Sequence, residues 1–120
     1  NQMIEGYDVQ NLQYGTSDAK TVTVSFYVKG TAKTYVAEIL TTSKFTSQTF
    51  NVTTSWNRVS LTFPANTSDT VNQDNTNEFS LALWLHAGST YTGGTMSGAW
   101  GSTPANRAAG IGSTLVLQII

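Results

Sequence analysis

The stretch "TVTVSFYVK", Thr21 to Lys29, decides the fold class of this chain. Every second residue in it is apolar, and side chains at alternate positions of a strand point to the same face. The pattern therefore predicts a half-buried antiparallel strand. Its inward face is expected to hold Val22, Val24, Phe26 and Val28.

Five further stretches carry weaker forms of the same signal: Tyr35–Thr41, Thr46–Thr53, Trp56–Phe63, Phe79–Leu85 and Ser113–Ile120. The link Gly30–Thr34 is expected to be a hairpin loop. A helical turn is expected at "YDVQNLQYG", with Val9 and Leu12 inward, but no window keeps a helical period. Short strands at roughly ten-residue spacing predict an all-β chain with two antiparallel sheets packed face to face, a β-sandwich of jelly-roll type.

Two long segments interrupt the strands. Ala65–Glu78 is polar and reads as a loop. Ser89–Gly112, the glycine-rich segment, has too many glycines for a helix and too many aromatic residues for a plain linker. We expect it to be ordered and held down by Tyr91, Met96 and Trp100.

The composition narrows the possible partners. Charged residues make up 11% of the chain, the formal net charge is −1, and cysteine is absent. Without a basic cluster we expect no nucleic-acid partner, and without an apolar run of roughly 20 residues no membrane partner. A surface of hydroxyl and amide groups is typical of extracellular and virion β-proteins.

The chain begins and stops inside strand-like sequence, "QMIEG" and "LQII". This pattern predicts a single β-sandwich domain over residues 1–120 that is a fragment of a longer chain. An exposed sheet edge is then expected to be completed by missing sequence or by a neighbouring subunit.

Several motifs resemble, in the same order, a module of tail-fibre and virion appendage proteins of marine bacteriophages. They are "IEGYDVQNLQYGTSDAKTVTVSFYVKG", "SWNRVSLTF", "LALWLHAGSTYTGGT" and "ANRAAG", between about Ile4 and Gly110. The resemblance implies a non-enzymatic jelly-roll module that is similar to galactose-binding and carbohydrate-binding modules. It also implies that the module forms homo-oligomers and contacts other virion subunits. The loose match of "LVLQII" leaves the register of the last strand open.

Catalytic arrangements find little support in the residues. His86 is the only histidine, and no nucleophile elbow precedes it. Asp69, Asp74 and Glu78 read as solvated charges of one loop, and Glu38 as an outward partner of a lysine. We therefore expect no enzyme and no organic cofactor.

The polar loop offers hard oxygen atoms at alternate positions, which Ca²⁺ prefers as ligands. The candidate calcium ligands are Asp69, Asn72, Asp74, Asn75 and Glu78. The glycine of an EF-type loop is missing, and Asn and Asp also cluster in ordinary turns, so a turn is the alternative.

Trp84 and His86 fall on the face of "FSLALWLHAGS" away from Phe79 and the leucines. An exposed ring there can stack on a sugar, which predicts a glycan-binding platform. Its candidate residues are Trp84, His86, Tyr27, Tyr91, Trp100 and Asn106. Two alternatives stay open for Trp84: cover by the glycine-rich segment, or burial at a subunit interface.

Two other large side chains are assigned to structure. Trp56 is expected to plug one end of the sandwich, and Arg107 to tie down its loop through backbone carbonyls or a carboxylate.

Together with the resemblance, the sequence predicts a structural module of a virion appendage that contacts host glycans, with a carbohydrate-binding module of a secreted enzyme as the alternative.

Overall fold

The computed structural model describes residues 1–111 and 117–119, and for Leu117 and Gln118 the backbone alone. Strands alternate with long loops, and four short helical segments lie in the loops. The strands are β1 (Gln2–Glu5), β2 (Val22–Gly30), β3 (Lys33–Leu40), β4 (Phe45–Val52), β5 (Asn57–Phe63), β6 (Asn77–Trp84) and β7 (Leu117–Ile119). The helical segments are α1 (Gly6–Val9), α2 (Ser89–Thr92) and two 3₁₀ turns at Gln10–Leu12 and Pro104–Asn106.

The strands form two antiparallel sheets, as predicted. One has the order β1-β6-β3-β4 and the other the order β5-β2-β7. The expected last strand is present at Leu117–Ile119, where it pairs with β2, and its other residues lie outside the described ranges. The all-β sandwich is therefore confirmed.

The hairpin predicted at Gly30–Thr34 is wrong, because this link carries the chain from one sheet to the other. The backbone of β2 is committed to β5 along seven register pairs, Val22↔Phe63 to Val28↔Asn57. At the end of β2 the Gly30 amide donates to the Thr53 carbonyl over 2.8 Å. β3 pairs instead with β4 and β6.

The core lies between the sheets and is built by the alternating residues. Phe26 of β2 meets Phe50 of β4 edge to face, with ring centroids 5.2 Å apart. Tyr35 of β3 stacks on Phe50 at 5.9 Å. Aromatic pairs in these geometries add packing energy beyond the area they bury, so this group joins the two sheets.

β3 is one of the two inner strands of the larger sheet, and Tyr35 to Ile39 are all buried. Side chains of a strand alternate between two faces, so only half of these residues can reach the core between the sheets. The outer face of β3 must therefore be covered as well. The glycine-rich segment provides that cover.

The residues before β2 fold as predicted. The helical turn forms over 6–12, with Val9 buried and Leu12 packed on the core. Gly6 lies so close to the polar loop that a Cβ atom there would come within 1.8 Å of the Asn72 carbonyl oxygen. The polar loop is thus packed against the body of the domain.

No helix in the described ranges is long and apolar enough to span a membrane.

Candidate functional site

A buried carboxylate with four side-chain hydrogen-bond donors lies on the outer face of the larger sheet. Glu38, expected to point outward toward a lysine, is fully buried there, which corrects that expectation. It stands between Ser47 on β4 and Ala82 on β6. A buried carboxylate is costly unless it is paired and hydrogen-bonded, so its partners decide whether this face is stable.

Arg107, from the glycine-rich segment, supplies the opposite charge. Its Nε donates to Glu38 Oε2 at 2.8 Å and its Nη2 to Oε1 at 2.6 Å. Trp84 Nε1 donates to Oε1 at 3.2 Å, and Ser47 Oγ to Oε2 at 3.4 Å. Of the two partners predicted for Arg107, the carboxylate is the one observed. These four donors satisfy the carboxylate and fasten the segment to the sheet.

Three aromatic rings surround the guanidinium. The Arg107 Cζ lies 5.1 Å from the Trp84 ring centroid, 5.5 Å from that of Phe45 and 5.7 Å from that of Tyr91. All three fall within cation–π range. The hydrogen bonds and charge of Glu38 raise the pKa of Arg107 above its ordinary value, against the lowering effect of burial. The arginine therefore stays charged and fills the space between the rings.

This arrangement explains the tryptophan on the face away from the core. Trp84 packs against Tyr91 with ring centroids 5.1 Å apart, and its indole N–H is engaged by Glu38. Cover by the chain's own glycine-rich segment, one of the three environments considered for Trp84, is what the structure shows. Trp84 is only partly exposed, and sugar stacking by its ring stays a prediction.

The other predicted platform residues are dispersed. β6 ends at Trp84, so His86 lies beyond the strand and is exposed. Asn106 Oδ1 accepts the Thr95 amide at 3.0 Å within the glycine-rich segment. Tyr27 belongs to β2, in the other sheet, and cannot share a surface with Trp84. The prediction that joined these two rings in one platform is wrong.

Trp100 anchors the glycine-rich segment beside β4, the outermost strand of the larger sheet in the described chain. Its Nε1 donates to the Pro64 carbonyl at 2.9 Å, and its ring meets Tyr14 edge to face at 5.7 Å. Phe45 and Gly101 exchange backbone hydrogen bonds of 2.9 Å beside it. The anchoring predicted for Tyr91, Met96 and Trp100 is confirmed for Tyr91 and Trp100, while Met96 is partly buried and lines a small recess with Phe45 and Ser47. Burial in this cluster raises the pKa of Tyr14 to about 12.

The candidate calcium ligands divide into two groups. Asp69 accepts hydrogen bonds from Ser43 Oγ at 2.6 Å and from Thr41 Oγ1. Burial raises the pKa of Asp69, but these hydrogen bonds and the charge of Lys44 outweigh it and hold the pKa below its ordinary value. Asp69 thus ties the polar loop to the turn that joins β3 to β4.

Asp74 and Glu78 form the second group. Thr76 Oγ1 lies 2.6 Å from Asp74 Oδ1 and 2.8 Å from Glu78 Oε1, and Asn72 Nδ2 donates to the same Glu78 atom at 3.0 Å. Asn75 is exposed. In residues 1–111 and 117–119, no three His, Cys, Asp or Glu side chains lie together as metal ligands. In this structure Thr76 and Asn72 engage the Asp74 and Glu78 oxygens within the loop, and calcium binding by these residues stays a prediction.

Trp56 does not plug the sandwich. It is 42% exposed, and the Lys29 ammonium lies 5.3 Å from its ring centroid. It precedes β5 on the same side as Arg58, so strand alternation turns it outward. The sequence carries this signal in the alternation of "WNRVSLTF", which places Trp56 opposite in phase to Val59, Leu61 and Phe63.

Comparison of the chain with protein families, with curated proteins and with solved structures finds no match. The resemblance to virion appendage modules therefore depends on the quoted motifs alone.

Proposed function

We propose that this chain is a non-enzymatic structural module of a virion-type surface appendage, outside the cell, that assembles with other subunits and contacts glycans. The observation that carries the assembly part is the side of the sandwich where β1 and β7 lie. Each is the last strand of its sheet in the described part of the chain. An outermost strand presents unpaired N–H and C=O groups, to which another chain can add.

An apolar recess of about 330 Å³ lies on the same side, which we call the open side. Leu85 and Ile119 in its wall are 38% and 46% exposed. Exposed apolar surface beside free strand edges favours a protein partner over water. The recess is lined by Asn1, Gln2, Leu81, Leu83, Leu85 and Ile119.

The placement of the titratable groups supports a role by contact rather than by catalysis. Glu38 is held in structural hydrogen bonds on β3 and Asp69 in the polar loop, and His86 is exposed beyond the end of β6. General acid–base catalysis needs such groups within reach of one substrate atom. Asp74 and Glu78 do lie close to each other, but the space between them is occupied by the Thr76 hydroxyl, which is within hydrogen-bond distance of both carboxylates.

Light scattering across a concentration series tests the assembly. We expect the wild-type chain to self-associate and the variant Leu85→Ser/Ile119→Ser to remain monomeric, since both residues line the recess. Tyr7→Ser is the matched control, because Tyr7 is 51% exposed but does not line the recess, and it should assemble like wild type. A monomeric wild type, or an unchanged double variant, would overturn the assembly.

A carbohydrate-binding module of a secreted enzyme is the second candidate. The exposed aromatic residues Tyr27 and Trp56 on the smaller sheet favour it. A wild-type chain that stays monomeric and binds polysaccharide would decide for this alternative.

A further inference from the structure

The smaller sheet presents one face to solvent, which we call the outer face. Its side chains alternate along β2 with those of Val24, Phe26 and Val28, which point inward and contact the core. On β2 it consists of Thr23, Ser25, Tyr27 and Lys29, and on or beside β5 of Trp56, Arg58, Ser60 and Thr62. Nothing in the described chain packs over it in the way that the glycine-rich segment covers the larger sheet.

Two aromatic rings stand at one end of the outer face. Tyr27 is 53% exposed and lies opposite Arg58 in the register, and Trp56, two residues before Arg58 on the same face, is 42% exposed. Diagonal neighbours on adjacent strands have Cα atoms about 7–8 Å apart. Rings this close can contact successive units of an extended chain, and aromatic faces pack against the C–H face of a sugar.

Paired hydroxyl groups occupy the other end. Thr23 Oγ1 and Thr62 Oγ1 are 2.8 Å apart, and Ser25 Oγ donates to Ser60 Oγ at 3.2 Å. A hydroxyl has a donor hydrogen and two acceptor lone pairs. Each pair that shares one hydrogen bond keeps a donor and spare acceptors for a ligand with many hydroxyls.

The outer face is positively charged although the chain as a whole is not. Lys29 and Arg58 both lie on it, and neither β2 nor β5 contains Asp or Glu. Neither Lys29 nor Arg58 makes a salt bridge within the described residues, where the single ion pair joins Arg107 to Glu38. Uncompensated charge beside sugar-stacking rings complements an anionic ligand.

We infer that the outer face binds an acidic polysaccharide: Tyr27 and Trp56 stack on sugar rings, the hydroxyl pairs bind sugar oxygens, and Lys29 and Arg58 pair with carboxylate or sulfate groups. This inference rests on the glycan contact of the proposed function, but it does not require the chain to assemble. Nucleic acid is the less favoured occupant, because two cations are few compared with the phosphate contacts that typical DNA-binding proteins make.

Binding can be measured on immobilised wild-type chain against a panel of carboxylated and sulfated polysaccharides, with carboxymethyl cellulose and hydroxyethyl cellulose as a charged and neutral pair. We expect binding to acidic members, weaker binding to the neutral partner, and loss of affinity as salt rises. Tyr27→Ala and Trp56→Ala should each weaken binding by about tenfold or more, which corresponds to at least about 1.4 kcal/mol.

Tyr7→Ala and Lys20→Gln are the matched controls, since they remove an exposed ring and an exposed charge outside the outer face. They should bind like wild type. Melting temperatures close to wild type show that the outer-face variants are folded. The inference is overturned if no acidic polysaccharide binds, if the outer-face variants bind unchanged, or if single-stranded DNA binds as tightly as the polysaccharides.

The assembly test and the polysaccharide-binding test are independent, so one can fail while the other succeeds. The open-side variant Leu85→Ser/Ile119→Ser leaves the outer face intact and should still bind polysaccharide as a monomer. If Tyr27→Ala or Trp56→Ala instead dissociates an oligomer, the outer face is a subunit interface and the polysaccharide inference is wrong.

Discussion

Replacing Arg107 with Met removes the only cation bonded to Glu38 among the described residues and leaves a carboxylate with 0% exposure in the sheet. The carboxylate would retain Trp84 Nε1 and Ser47 Oγ as donors, the latter at 3.4 Å. The glycine-rich segment would lose its ionic attachment to β3. The variant therefore tests whether the ion pair holds the cover on the sheet.

Breaking a buried ion pair by removing one partner costs about 3–5 kcal/mol. The Arg107 side chain is 25% exposed, so part of its interaction is screened by water. We therefore expect the lower end, about 3 kcal/mol. For a domain of this size, that loss lowers the melting temperature by roughly 10–15 °C.

Urea unfolding followed by tryptophan fluorescence measures the change, with Arg58→Met as the matched control. Arg58 is exposed and has no ion pair in the described chain, so its replacement should change stability by at most about 0.5 kcal/mol. Replacing both Glu38 and Arg107 with Met should restore most of the loss, because no charge is left buried. An Arg107→Met protein within about 1 kcal/mol of wild type would refute the reasoning, as would a double variant less stable than either single one.

Three further changes test other parts of the structure. Asp69 has a lowered pKa, so its contribution to the free energy of unfolding is complete above an ordinary carboxyl pKa of about 4 and is lost as the pH falls through the pKa of the folded state. Asp69→Asn should therefore be less stable than wild type at pH 7, and this difference in stability should narrow at pH 3. A difference that stays constant between the two pH values would contradict this. Gly6→Ala should cost about 1–3 kcal/mol in urea unfolding through its clash with Asn72, whereas Gly88→Ala, with no heavy atom within 4 Å of the added Cβ, should not. Calcium at millimolar concentration should give neither heat nor a rise in melting temperature after EDTA treatment if the polar loop is an ordinary turn, and a clear rise would favour the calcium site instead.

Local patterns carried the predictions that succeeded. The alternation of "TVTVSFYVK" gave β2 its inward face, and the turn at residues 6–12 followed from Val9 and Leu12. Both depend on neighbours along the chain. Tyr91 and Trp100 were likewise recognisable as anchors, because large rings in a glycine-rich segment need something to pack against.

Non-local pairing explains the predictions that failed. The link after β2 has turn chemistry that suits either a hairpin or a crossing between sheets, and the choice depends on β5, almost 30 residues away. Tyr27 and Trp84 were placed on one platform for the same reason, because the sequence does not show that β2 and β6 belong to different sheets. Glu38 was misread because alternation shows which face a residue takes, but not that residues near Arg107 cover that face.

The nitrogen-bound protons of the three tryptophan indoles test the account most directly, because each tryptophan has a different environment. Trp84 is bonded to Glu38, Trp100 to the Pro64 carbonyl, and Trp56 is exposed on the outer face. In ¹H–¹⁵N NMR spectra recorded during titration with an acidic polysaccharide, we expect the Trp56 signal to shift while those of Trp84 and Trp100 stay in place. A shift of Trp84 with Trp56 unchanged would contradict the account.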